Sequence, residues 1–162
     1  FTSEQFDEAA RWYNMAIQHD PKNPVGYYNL GSVFSNLRHP DSAVSMYKKA
    51  IAVDPNYFTA NLNLGVAYHD LAQYDSAIAY IRKAILINPK ENLPYYYLAQ
   101  SFAKNNKPED ALRYLEQALQ RGYNLYEYII LETDLDSIRK YAAYKAMMKK
   151  YFPNKYKEED DQ

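Results

Sequence analysis

The segment NPVGYYNLGSVFSNLRHPDSAVSMYKKAIAVDP, residues 23–55, recurs in altered form as YFTANLNLGVAYHDLAQYDSAIAYIRKAILINP at residues 57–89. A shift of 34 carries Leu30, Gly31, Phe34, Ala43, Tyr47, Ala50 and Pro55 onto Leu64, Gly65, Tyr68, Ala77, Ile81, Ala84 and Pro89. Each pair keeps its size class, and the one departure beside them is Tyr27 against Asn61. A fixed period of this length marks a chain built from stacked copies of one supersecondary unit. Tyr27, Leu30 and Phe34 share a stripe on a first helix, near residues 25–37. Gly31 and Ala43 are small enough for two helix backbones to approach closely. Tyr47 and Ala50 line the inner face of a second helix, near residues 40–53, and Pro55 stops the chain before the next copy. One helix pair cannot bury such faces alone, so stability has to come from stacking neighbours.

The pattern aromatic-x-x-Leu-Gly-x-x-aromatic, then Ala-x-x-x-aromatic/aliphatic-x-x-Ala and a closing Pro, resembles the tetratricopeptide (TPR) repeat. The resemblance implies an all-α fold, an αα-superhelix of helix-turn-helix units. Its frame gives full units at 24–57, 58–91 and 92–125, the last with Tyr123 in the Pro slot after Gly122, a natural helix C-cap. Ahead of them, Ala9, Tyr13, Ala16 and Pro21 mark the second helix of a further unit in 1–23, with Phe1 to Ser3 as the end of its missing partner. The chain therefore reads as a piece of a longer protein, with an uncovered edge at Phe6, Trp12 and Tyr13. Asp7, Asp41, Asp75 and Glu109 share one slot, the first turn of each second helix, where a negative charge suits the helix dipole.

Beyond residue 125 the pattern changes. Leu135, Ile138, Tyr141, Ala142, Met148 and Phe152 form an apolar stripe with helical spacing that Pro153 ends, so residues 126–152 are expected to cap the open end of the array. Within it, DLDSIRKYAAYKAMM resembles a tail that often follows TPR arrays in bacterial proteins. Residues 153–162, rich in Lys, Glu and Asp, are expected to be a solvated, disordered tail.

Bulk composition narrows the function classes. A net charge of −1 and a pI near 6.3 argue against a nucleic-acid or anionic-membrane surface. The absence of cysteine excludes disulfides, thiolate metal sites and cysteine nucleophiles. No apolar run approaches the roughly 18 residues of a membrane span. His19, His39 and His69 lack metal-ligand spacing, and there is no glycine-rich phosphate loop, no Gly-x-Ser-x-Gly elbow and no paired carboxylate in an apolar setting. Neither a catalytic role nor a cofactor is expected.

In the arrays this chain resembles, first helices line a concave groove. The groove-facing positions here are Val25, Tyr28, Asn29, Ser32 and Asn36, then Thr59, Leu62, Asn63, Val66 and Asp70, then Leu93, Tyr96, Tyr97, Gln100 and Lys104. The carboxylate clamp of chaperone-binding arrays would fall on Tyr28, Ser32, Asn63, Leu93 and Tyr97, where only Asn63 matches and the cations are missing. Asn29 and Asn63, in one slot a repeat apart, resemble instead the asparagine ladder that lines the superhelix of O-linked N-acetylglucosamine transferase; Tyr97 interrupts it. A side-chain amide offers both a donor and an acceptor, so a row of amides can hold the backbone of an extended peptide. Tyrosines at 28, 96 and 97 would add contact area at low entropy cost. The expected function is therefore noncovalent, an extended segment or helix of a partner protein held by Tyr28, Asn29, Ser32, Asn36, Asn63, Val66, Tyr96, Tyr97, Gln100 and Lys104. Two other readings stand beside it: a spacer or self-association module working through the N-terminal edge as a monomer or weak homo-oligomer, and the regulatory part of an enzyme whose catalytic domain lies upstream.

Overall fold

The structure, a computed structural model, describes residues 3–157. Residues 1, 2 and 158–162, which hold most of the expected preceding helix end and half of the expected tail, lie outside the described residues. All regular structure among the described residues is helical: α1 Ser3–His19, α2 Pro24–Asn36, α3 Pro40–Val53, α4 Phe58–Asp70, α5 Tyr74–Ile87, α6 Leu93–Lys104, α7 Pro108–Gln120, α8 Tyr126–Leu131, a 3-10 turn Thr133–Leu135, α9 Asp136–Arg139 and α10 Ala142–Tyr151. The chain divides into two compact units, Phe1–Asn88 and Pro89–Gln162.

In the first unit α2 pairs with α3 and α4 with α5, while α1 packs on α2 and α3 on α4. The repeat residues explain the pairing. Leu30, Ala43, Tyr47, Ala50, Leu64, Ala77, Ile81 and Ala84 are buried. A Cβ placed on Gly31 would stand 2.7 Å from the Tyr47 ring, so only glycine lets α2 approach α3 this closely. The unmatched pair Tyr27 and Asn61 also has a physical reading. Asn61 is fully buried and its Nδ2 donates to Pro55 O (3.1 Å) and Tyr57 O (2.9 Å). In the second unit Tyr95, 34 residues further on, donates its hydroxyl to Pro89 O (3.1 Å), so two unlike side chains satisfy the same proline carbonyl.

Three first helices end alike. His39, Gln73 and Lys107 each donate a backbone N–H at 2.9 Å to Phe34, Tyr68 and Phe102, and the residues before them, Arg38, Ala72 and Asn106, adopt φ of 60°, 56° and 55°. This is a helix-terminating turn that favours glycine, here built without it. Second helices end differently. After α3, Asp54 is extended and its Oδ1 accepts from Asn56 N (3.0 Å), which leads through Pro55 into the next unit. After α7, Gly122 takes φ 87° and Tyr123 N–H donates to Ala118 O (3.0 Å), so the chain turns back on itself.

In the second unit α6 pairs with α7, and the 3-10 turn and α9 lie against α6. The expected cap is built of short helical pieces. Leu135 and Ile138 are buried, as are Tyr144, Met147 and Met148. In one continuous helix Ile138 and Tyr144 would point about 120° apart. An extended Tyr141 resets the phase between them, so both sets face inward. The solvated tail does not begin at Pro153 either. Tyr156 is buried, Lys155 O accepts from Tyr126 Oη (3.3 Å), and Lys155 Nζ pairs with Glu127 at 2.9 Å.

Candidate functional site

In the first unit, α2 carries Tyr28, Asn29, Ser32 and Asn36 on successive turns, and α4 carries Asn63 and Val66. Tyr28 is half-buried with its ring near those of Tyr57 (5.2 Å between centroids) and Tyr47 (5.9 Å). Asn63 Nδ2 donates to Tyr28 Oη at 3.3 Å. Ser32 Oγ donates to Tyr28 O (3.2 Å) and accepts from Tyr47 Oη (3.4 Å), and Asn36 Nδ2 donates to Ser32 O (2.8 Å). Burial pushes the Tyr47 phenol up, against the opposing pull of its bonds to Ser32 and Asn63, so it stays a neutral donor. The hydroxyl of Tyr47 is a member the sequence frame missed, because that slot is filled for packing and nothing in the pattern says where its oxygen ends.

The free hydrogen-bonding capacity of this face decides what it can do. Among the described residues the Asn29 amide has no partner. Asn63, bonded to the hydroxyls of Tyr28 and Tyr47, keeps its acceptor oxygen, and Tyr28 Oη, accepting from Asn63, keeps its own hydrogen to donate. Asn29, Ser32, Val33 and Asn36 form one wall of a cleft of about 320 Å³ whose other wall is Phe6, Ala9 and Tyr13 of α1. A second cleft of about 550 Å³ lies at the helix ends, between Ser35, Asn36, Arg38, Pro40 and Asp70. Neutral donors and acceptors beside aromatic rings suit peptide groups and small polar or apolar side chains rather than a concentrated charge.

The second unit departs from the sequence expectation. Tyr96 and Gln100 are not on an open face, being 4% and 6% exposed. Tyr96 stacks on Tyr123 at 4.3 Å and donates its hydroxyl to Tyr128 O (3.4 Å). Gln100 Nε2 donates to Glu132 Oε2 (2.6 Å), Lys104 pairs with Asp134 at 3.4 Å, and Ser137 Oγ donates to Ala103 O (3.4 Å). The reason is positional. Residues from 126 onward stand where a next first helix would begin, and they lie down on the stripe of α6 that the frame assigns to a ligand. Tyr97 alone stays half-buried beside Tyr96, with ring centroids 6.2 Å apart.

Burial holds Tyr96 well above the usual tyrosine value, and burial pushes Tyr123 up to about 12. Below pH 10 both phenols are neutral whether folded or unfolded, so nothing is lost there. Above it the unfolded tyrosines ionise while the folded pair does not, and stability falls as pH climbs from 10 through about 12. Urea midpoints read against tyrosinate absorbance are expected to drop over that interval, and to drop less in Tyr123→Phe. An equal drop in both would remove this pair as the cause.

Family models for the tetratricopeptide repeat match residues 28–94 and 95–121, and a model described as TPR repeat matches residues 1–37. No curated protein matches the chain. Among solved structures, MamA residues 41-end from Desulfovibrio magneticus RS-1 is similar over 97% of this chain and 87% of its own, at 20% identity and TM-score 0.79. YrrB, described as a TPR protein with an unusual peptide-binding site, is similar over 90% of this chain and 77% of its own, at 24% identity and TM-score 0.69. PilF of Pseudomonas aeruginosa is similar over 93% and 67%, at 19% identity and TM-score 0.78.

Proposed function

Because the chain belongs to the tetratricopeptide repeat family, whose arrays serve as scaffolds for protein–protein contacts, we propose that the inner face of its first unit holds an extended segment of a partner protein. One observation carries the proposal: Asn29 and Asn63 occupy the same slot one repeat apart, and the Asn29 amide has no partner while Asn63 keeps its carbonyl oxygen to accept. A half-buried amide without a protein partner is positioned to bond a peptide group arriving from outside. Tyr28, Ser32, Asn36 and Val66 surround the two amides, and their neutrality favours recognition of a backbone over recognition of a charge. The peptide-binding site described for YrrB is a precedent on a similar fold. Tyr96, Gln100 and Lys104 play no direct part in this reading, since Tyr128, Glu132 and Asp134 engage them.

The test is capture from an extract of the source cells with the wild-type chain and an Asn29→Ala/Asn63→Ala variant of matched helical content. A partner held by the wild type is expected to bind the double variant roughly 30-fold more weakly, two lost hydrogen bonds at about 1 kcal/mol each. Equal retention by both proteins would remove the amides from the site.

A further inference from the structure

Helix α8 is apolar nearly all round: YEYIIL carries a single charge, Glu127. A helix of that composition needs cover on more than one side. Tyr126 and Ile129 turn inward and are buried. Tyr128 and Leu131, also three residues apart, turn outward and stay 67% and 75% exposed. Together with Glu127 and Glu132 they bound a cleft of about 300 Å³. Large apolar side chains exposed singly are ordinary, but two adjoining ones bounding a cleft are not.

The carboxylates around this strip differ. Glu127 is paired with Lys155 at 2.9 Å. The side chain of Glu132 receives Gln100 Nε2 (2.6 Å) and the Asp134 backbone N–H (3.2 Å), both neutral donors. Arg139 reaches only the Glu132 backbone oxygen (3.0 Å) and pairs its own charge with Asp136 at 3.1 Å. Among the described residues no cation compensates the Glu132 carboxylate. Its two neutral bonds fix it at the edge of the apolar strip as a negative charge of set position.

We propose that Tyr128 and Leu131 form a docking strip, separate from the amide face of the first unit, for a partner segment carrying a leucine-sized side chain beside a lysine or arginine. The apolar side chain seats in the cleft against Tyr128 and Leu131, and the cation meets Glu132. Acidic or uncharged segments lack the second contact and bind less well.

The full chain, isotopically labelled, is titrated with two synthetic peptides, acetyl-Lys-Leu-Leu-Arg-amide and acetyl-Glu-Leu-Leu-Glu-amide, while backbone amide shifts are followed. The basic peptide is expected to move the amides of residues 127–132 and to bind more tightly than the acidic one. Leu131→Asp should weaken it by about tenfold or more through lost apolar burial. Glu132→Gln can keep the bond from Gln100 through its one carbonyl oxygen, gives up the one from Asp134 N–H, and should weaken binding by about threefold, an effect that salt removes in the wild type. Asn29→Ala/Asn63→Ala should leave it unchanged, which separates this site from the one in the first unit. Equal binding of the two peptides, unmoved amides at 127–132, or full binding by Leu131→Asp each overturns the proposal. Thermal melting of each variant confirms that the fold survives, since the substituted side chains are not in the core.

Discussion

Tyr96→Ala is expected to lower the unfolding free energy by about 3–5 kcal/mol, the range for truncating a buried aromatic side chain. The ring is 4% exposed and stacked on Tyr123 at 4.3 Å and 19°, so alanine leaves a void that the short pieces from 126 onward would have to collapse into. The hydroxyl contributes little of this. Tyr96→Phe loses the 3.4 Å bond to Tyr128 O and the hydroxyl's bond with Tyr123, and should cost about 1–2 kcal/mol. Tyr97→Ala, from a half-buried position, should cost less than the truncation at 96. Urea unfolding of the three variants, read by circular dichroism, checks the order. The groove reading of the sequence predicts the reverse pattern, in which Tyr96→Ala keeps its stability and loses only a ligand. Unchanged stability in Tyr96→Ala would restore that reading and remove the account of residues 126–139 as cover for α6.

The contrast shows what a repeat frame can and cannot transmit. Leu30 and Ala43 announce themselves because the same residue recurs in all three full copies, and Gly31 and Tyr47 because their slots stay small and large, so helix pairing follows from them directly. The frame also places Tyr96 and Gln100 on the ligand-facing stripe of α6. It is silent on what covers that stripe, because the covering residues lie past the last copy and follow no period. The turns at Arg38, Ala72 and Asn106 were equally unreadable. Their left-handed backbone, φ 55° to 60°, is imposed by the helices packed on either side, and none of the three is the glycine that would have flagged it. At Gly122, where the residue type and the conformation agree, the helix end was legible. The broken cap has a similar cause: the stripe from Leu135 to Phe152 has helical spacing within each part, but the residue that resets its phase, Tyr141, carries no Gly or Pro signal.

Gly65→Ala is expected to destabilise the first unit by up to about 2 kcal/mol, the balance of an overpacking cost of roughly 1–3 kcal/mol and a helix-propensity gain of about 1 kcal/mol. A Cβ at this position would lie 2.5 Å from Ile81 Cγ1, and 3.1 Å from both Ala77 O and Ile81 N. The first contact is to a side chain that is itself fully buried and has nowhere to swing. The other two are to backbone, so relief requires α4 and α5 to separate. A double-mutant cycle apportions these contributions. Ile81→Ala deletes the Cγ1 contact, and in that background Gly65→Ala should cost less than it does alone, with the residue set by the two backbone contacts. If the substitution costs the same in both backgrounds, the side-chain clash is not what makes glycine necessary. If it stabilises in both, the close approach of α4 to α5 is not required either. Gly31→Ala offers a comparison within the same unit. Its new Cβ would meet the Tyr47 ring at 2.7 Å, and its nearest contacts are all side-chain atoms, with Met46 Cβ at 3.3 Å. An aromatic ring can tilt where a peptide group cannot, so the cost at position 31 should fall below the cost at position 65. The two copies that carry this glycine therefore need it for different reasons, to clear a ring in α3 and to clear both a branched side chain and the backbone in α5, while the third copy holds Ala99 there.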